Sequence, residues 1–384
     1  MEVTQIYPLV NAATQEVLGT TTIVNEDLSN LVDIGTEIFN ANAVDRYVKS
    51  LVNHIGRVIF VNRPYRGSVP SVLMDGWEFG SVLEKITVEL PGATENESWE
   101  LVDGASYDQN IFYQPKVSAK FFNKKVTFEI DMSFTERQVK QSFSSATQLN
   151  AFLSMLYNAV ERSLTVKIDA LVMRTINNMT AETLYSEFND GAYANKSGVR
   201  AVNLLHLFKQ ATGTTITADK ALTTPEFIRF ASMTMANYID RMAKLSTLFN
   251  VGGKDRFTTS DVLHAVMLSD FKNAAAAYLQ SDTFNERYTA LPKAETVPYW
   301  QGSGQSYGFS DISKIDIKTA SAHTVTASGI LAIMFDRDAL GVTNLDRRVT
   351  SHYNAKAEFY TNFYKFDAGY FNDLNENFVV FFVA

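Results

Sequence analysis

Asp336-Arg337-Asp338, after a buried strand, is the one place where paired carboxylates could suggest a metal site or acid and base work. The run follows an unbroken apolar stretch, Ile330 to Phe335, so the plain reading is a strand end whose Arg is held between two acids. A hydrolase using Asp336 and Asp338 is the enzymatic alternative. The five histidines are His54, His206, His264, His323 and His352, and the nearest two, His323 and His352, are 29 positions apart. No metal-ligand spacing exists among them. The count of Cys is 0, which excludes thiolate zinc sites, cysteine nucleophiles and disulfides. Gly302-Ser303-Gly304-Gln305-Ser306-Tyr307-Gly308 misses the dinucleotide-loop spacing by one residue and joins no strand to a helix. Gly252-Gly253-Lys254 looks like the close of a phosphate loop, but Asp255 stands where a magnesium-binding Ser or Thr belongs, so it reads as a helix stop. No catalytic residue, cofactor or metal is expected.

Charge placement is more informative. Arg46, Lys49, Arg57, Arg63 and Arg66 fall in a stretch, Arg46 to Met74, that has no acid, although the chain carries a net −8. Such a run meets either nucleic acid or an acidic surface of the same or a neighbouring subunit. Pro91 to Pro115 is the reverse: it holds Glu95, Glu97, Glu100, Asp103 and Asp108 and no Lys or Arg, and Lys116, Lys120, Lys124 and Lys125 follow it. Trp99, Leu101, Val102, Tyr107, Ile111 and Phe112 lie among these acids, too much apolar surface to leave wet on a ribbon with no core beneath it. Glu95, Glu97, Trp99 and Glu100 are therefore candidates for an intersubunit contact. Arg57, Arg63, Arg66, Lys116 and Lys120 are the cations they would face on an adjacent copy.

The elements that position these residues follow from length and periodicity. The chain has 384 residues, 46% apolar and 20% charged, enough for two or three domains at about 150 residues each. No window approaches the roughly 18 consecutive apolar residues of a membrane span, and Met1 to Val10 lacks a signal-peptide pattern, so a soluble, unexported chain is expected. Ile86, Val88 and Leu90 alternate with polar residues, as do Val126, Phe128, Ile130 and Met132, which predicts two half-buried strands with a projecting two-stranded loop between them. Ser133-Phe134-Thr135-Glu136 matches a capping box and predicts a short helix to about Ser142. Apolar residues from Leu149 to Met179 then recur at spacings of three and four, predicting one helix from Ala146 to about Ala181. So long an apolar stripe needs an equally long partner surface. Thr224-Pro225-Glu226 opens another helix carried forward to Leu248, and Asp261 to Leu279 reads as one or two more. Ile312 to Thr319, Ile330 to Phe335 and Phe378 to Val383 read as strands, the last two fully buried. Before these elements, residues 1–56 read as an arm with one short helix, regular structure beginning near Ile23. The class is α+β.

In order and layout, these features resemble the Hong Kong 97-type major capsid protein of tailed bacteriophages. Phe134 to Asn178 is similar to the approach to, and body of, that family's spine helix. Asp261 to Pro292, Val297 to Gly304 (VPYWQGSG), Gly329 to Val342 (GILAIMFDRDALGV) and Asn354 to Val383 are similar to further capsid segments. The resemblance implies an N-terminal arm over 1–56, an extended β-loop over 57–132 and a peripheral domain with the spine helix over 133–220. A mixed α/β axial domain over 221–345 and returning C-terminal strands over 346–384 complete it. It further implies a homo-oligomer of hexamers and pentamers forming an icosahedral shell around double-stranded DNA, without tight binding and without a membrane. Assembly in the host cytoplasm, a separate scaffolding protein and a portal belong to the same expectation, an encapsulin-like compartment being the related alternative. Some members join subunits through a Lys to Asn bond, but no residue pattern here marks that triad.

Overall fold

The computed structural model describes residues 3–19, 69–74, 83–93, 95, 100–107, 110–135, 137, 146–189, 191–280, 294–301, 306–319 and 322–384, with isolated residues between 24 and 50. The chain forms two compact units. One draws on residues 1–76, 125–174 and 342–369, the other on 77–124, 175–341 and 370–384.

The first unit is built on a four-stranded sheet: β1 (Leu73–Met74), β11 (Leu340–Asn354), β12 (Phe359–Asn372) and β4 (Lys125–Thr135), in that spatial order. The predicted alternation in β4 holds, with Lys125, Thr127, Glu129 and Asp131 exposed and Val126, Phe128, Ile130 and Met132 half-buried. β4 and β12 pair antiparallel from Thr135↔Phe359 to Lys125↔Gly369, and Phe128–Phe366 and Phe134–Tyr360 ring pairs lie 5.1 and 5.7 Å apart. This register corrects the capping-box reading. Ser133, Phe134 and Thr135 are the last residues of the strand, and the Ser133 hydroxyl lies 2.9 Å from that of Thr361 rather than capping a helix. Arg137 is helical, and the rest of the short helix expected to about Ser142 lies outside the described residues. The arm also differs from expectation: a helix spans Val3–Leu18 and buries Val10 and Ala13, so regular structure begins well before Ile23. Pro8 removes one N–H from that helix without ending it.

The long helix is longer than predicted, Ala146–Glu187, and supplies residues to both units. In the first unit it buries Val160, Ile168, Leu171 and Val172; in the second, Ile176, Met179 and Leu184. It stops just before Gly191, whose φ of +69° lets its N–H reach the Phe188 carbonyl at 3.0 Å.

The second unit centres on a five-stranded sheet in the order β5 (Ala201–Asn203), β13 (Phe378–Phe382), β10 (Ile330–Asp336), β6 (Leu263–Leu268) and β7 (Glu295–Val297). Every residue of β10 and β13 is buried. Gly329, just before β10, has φ +80°, and a Cβ there would lie 2.0 Å from the Val383 carbonyl oxygen, so no other residue fits this approach. Leu263 to Leu268, expected as helix, is a strand because it pairs with β10, and the helix begins only at Ser269. A short apolar run cannot tell the two apart by period. The helix opened by Pro225 ends at Met242, leaving Leu245 and Leu248 exposed. Gly252-Gly253 is thus a later turn, not that helix's stop. Asn177 donates to the Trp300 carbonyl at 2.6 Å, and Trp300 Nε1 donates to the Ile330 carbonyl at 2.8 Å, tying the long helix to β10. The unit also carries two ribbons, β2 (Leu83–Val88) with β3 (Val117–Phe122), and β8 (Ile315–Lys318) with β9 (Thr324–Ala327). Among the described residues no helix is long and apolar enough to cross a membrane.

Candidate functional site

Of the two carboxylates that could have done chemistry, Asp336 is committed to the fold and Asp338 is exposed. Asp336 is buried at the end of β10; one oxygen accepts from the Thr258 hydroxyl at 2.7 Å and the other from the Asp338 N–H at 2.9 Å. Arg337 is not held between two acids: it is exposed and reaches only Asp338, at 3.7 Å. His264 has its pKa pushed down by burial, against the nearby charge of Glu295. His323 stacks on Tyr185 at 4.0 Å, and His54 lies outside the described residues. Among the described residues no group of three or more His, Asp or Glu could hold a metal ion.

The β2/β3 ribbon has two unlike faces. Its register, Leu83↔Phe122 through Val88↔Val117, places directly opposed residues on one face. One face carries Lys85 opposite Lys120 and Thr87 opposite Ser118, whose hydroxyls are 2.8 Å apart. Two opposed lysines repel each other, yet here each meets an acid of the turn between β12 and β13. Lys85 Nζ lies 2.6 Å from Glu376 and 3.0 Å from Asp373, and Lys120 Nζ lies 2.8 Å from Asp373. Arg256 adds a bond to Glu376 at 3.0 Å. Burial pushes the Asp373 carboxyl up, but bonds from Lys120 and the Asn375 N–H and the charge of Lys85 outweigh it and hold the pKa below the ordinary carboxylate value. Phe122, tilted against Phe371 with ring centroids 5.0 Å apart, is the ribbon's apolar anchor.

The opposite face of the ribbon carries Ile86 opposite Ala119, Val88 opposite Val117 and Phe121 opposite Glu84. All of these residues are exposed. The sequence placed the apolar face of β2 half-buried; within this chain it is the polar face that docks. Beyond the strands, Leu101, Val102, Tyr107, Ile111, Phe112 and Tyr113 are exposed as well, Phe112 at 84%.

Of the residues singled out from the sequence, Glu95, Glu100 and Lys116 are exposed on this segment. Lys116 approaches Glu89 at 4.0 Å, while Lys120 is engaged with Asp373 of its own chain. Glu97, Trp99, Arg57, Arg63 and Arg66 lie outside the described residues. Asp373, Glu376 and Arg256 were missed. The signal for the acids was their place in a short polar turn between two strongly apolar strands, where a buried charge needs a partner brought from elsewhere.

Solved phage structures share this fold. A chain of the capsid structure of Staphylococcus phage Andhra aligns with a TM-score of 0.50 at 10% identity, covering 84% of this chain and 86% of that one. A chain in the structure of head fiber and inner core protein gp22 of native bacteriophage P68 aligns with a TM-score of 0.50 at 8% identity, over 84% and 86%. At such identity the likeness is one of fold, the α+β Hong Kong 97-type. Among curated proteins none matches the chain in sequence. The model of the Phi29-like phage major capsid protein family matches residues 10–382, a span that takes in the second half of the arm helix, the ribbon, the long helix and both large sheets. The chain belongs to that family and is a major capsid protein of a tailed phage, a structural protein of the head shell and not an enzyme.

Proposed function

We propose that copies of this chain assemble in the host cytoplasm into hexamers and pentamers of an icosahedral shell, with the segment from Glu95 to Asp108 as an intersubunit contact. The shell encloses double-stranded DNA without binding it tightly, in keeping with the net −8, since tight binding needs clustered cations. A scaffolding protein and a portal are the further partners that the resemblance implies. The observation that carries the contact is the exposed tip: Leu101, Val102, Ile111 and Phe112 stand in water beside Glu95, Glu100 and Asp103. Burying two or three such side chains on a neighbour contributes several kcal/mol, at about 1.5–3 kcal/mol each. The acids then select the register by facing cations of the adjacent copy, for which Arg57, Arg63, Arg66 and Lys116 are the candidates. Lys120 contributes by holding the ribbon in place. Replacing Glu95, Glu97 and Glu100 together by Lys is expected to leave the subunit folded and to block rings and shells in sedimentation and electron microscopy. Normal shells from that variant would return the tip to a free, solvated loop.

A further inference from the structure

Three Asp-Gly pairs occur in the chain, Asp75-Gly76, Asp103-Gly104 and Asp190-Gly191. The dipeptide carries a chemistry of its own. Glycine has no Cβ to shield its backbone nitrogen, so that nitrogen can reach the side-chain carboxyl carbon of the preceding aspartate and close a five-membered ring. Whether it does so depends on the freedom of the chain at the pair. Asp103 and Gly104 are both exposed in the turn from Val102 to Ala105, and Gly104 has φ +82°, a conformation that favours glycine. The turn is held only at its ends: the Ala105 N–H donates to the Val102 carbonyl and the Val102 N–H to the Tyr107 hydroxyl, both at 3.1 Å. Both bonds lie in exposed chain, and a loop held in this way opens readily. Among the described residues the Gly104 N–H itself donates to nothing, and no atom beyond its chain neighbours stands within 4 Å of the position a Cβ would take. At Gly191 the corresponding N–H is engaged, donating to the Phe188 carbonyl at 3.0 Å. Asp75, Gly76 and Asp190 lie outside the described residues.

We propose that Asp103 is a site of spontaneous isomerisation to isoaspartate, at which subunits that have not assembled age. In the first step the Gly104 nitrogen bonds to the Asp103 side-chain carboxyl carbon, and one carboxyl oxygen leaves as water with the amide proton and the carboxyl proton. In the second step water opens the ring. Attack at the former main-chain carbonyl leaves the chain running through the aspartate side chain, longer by one methylene, and frees that carbonyl as a carboxylate. Water is released once and consumed once, so the product has the mass of the starting chain. The negative charge is kept but moved, and the lengthened backbone no longer fits the turn that the Val102 and Ala105 bonds close. The consequence for assembly rests on the reading of the tip as an intersubunit contact: an isomerised tip docks poorly, and a docked tip is shielded from the opening that isomerisation needs.

The full chain, incubated at neutral pH as unassembled subunits, is sampled over time. Isoaspartate is counted by enzymatic methylation and located by peptide fragmentation. It is expected to build up at position 103 severalfold faster than at 190, with circular dichroism unchanged, and the aged subunits are expected to lose assembly in step. Asp103→Glu keeps the charge but would need a larger, slowly closing ring. It is expected to give no isomerised residue there and to keep, on ageing, whatever assembly it starts with. No build-up at 103, or faster build-up at 75 or 190, would overturn the inference. Assembled particles incubated in parallel separate it from the reading of the tip. Isoaspartate at 103 in free subunits but not in particles supports both; equal build-up in the two, with aged subunits assembling normally, leaves the modification site standing and returns the tip to a solvated loop.

Discussion

β4 and β2 have the same pattern in sequence and opposite placements in the fold. In β4 the apolar residues Val126, Phe128, Ile130 and Met132 are the half-buried set, and Thr127, Glu129 and Asp131 face water. In β2 the apolar residues Ile86 and Val88 face water, and Lys85 and Thr87 are the half-buried set. Period two fixes that a strand has two unlike faces, not which of them its own chain will cover. β4 lies in a sheet, paired along its length with β12; β2 has one partner strand and a pair of acids to satisfy. In the proposed assembly, a strand that presents its apolar side to solvent in the subunit is completed by a neighbouring copy, whereas one that buries it is completed by folding.

The strongest way to sharpen that contrast is to damage a strand completed entirely by folding. Phe381 in β13 is fully buried and packs edge-on against Tyr238 at 5.2 Å. Phe381→Ala is expected to cost about 3–5 kcal/mol of subunit stability, measured as a lower urea midpoint of the unassembled chain. Ile86→Thr and Val88→Thr, on the exposed face of the ribbon, are expected to leave that midpoint unchanged. A Phe381→Ala midpoint close to the parent's would mean that the central sheet contributes far less than its burial implies.

That sheet was the most legible part of the fold. Ile330 to Phe335 and Phe378 to Val383 are short, uniformly apolar runs of the kind that a strand covered on both faces makes, and the long helix announced itself by spacings of three and four. Where two signals competed, the sequence was ambiguous. Leu263 to Leu268 is apolar enough for helix or strand, and its pairing with β10, made from residues about 70 positions away, settled it. Ser133 to Glu136 fits a helix cap as well as a strand end, and eleven paired residues of β12 outweighed one cap. The site was half legible. Its acids and apolar tip could be read locally, but the ionic anchor joins Lys85 and Lys120 to Asp373 and Glu376 across some 250 to 290 positions, and no local pattern records such a pairing.

A second prediction concerns that anchor. The Asp373 carboxyl titrates below its ordinary value in the folded chain, so its stabilisation is fully present above the unfolded value of about 4 and is lost as pH falls through the depressed folded value. Residues 83–88 and 117–122 should therefore lose protection from hydrogen exchange as pH falls below about 4, before β10 and β13 do. Lys120→Met, which leaves Lys85 in place, should move the same region part of the way at neutral pH. Its cost is about 1 kcal/mol, since Lys120 is partly exposed and screening weakens its bond. If ribbon and central sheet lose protection together in acid, the ribbon is held by its apolar anchor, Phe122 on Phe371, rather than by ions.

The smallest effect is expected on the water-facing side of β4. Glu129 and Lys365 are directly opposed across β4 and β12, 2.8 Å apart, with side-chain exposures of 42% and 35%. Both side chains are long and mobile, and an ion pair this open gives back most of its attraction to solvent and to the ordering of its own rotamers. Lys365→Met should therefore change subunit stability by less than about 0.5 kcal/mol, with little dependence on salt. It should also leave assembly unaffected if this polar face is free in the shell, in contrast to the triple Lys substitution at Glu95, Glu97 and Glu100. The informative outcome is a variant that folds normally and fails to assemble. Such a result would place β4's polar face, like β2's apolar one, against a neighbouring copy, and the distinction between strands completed by folding and strands completed by assembly would then fall within a single sheet.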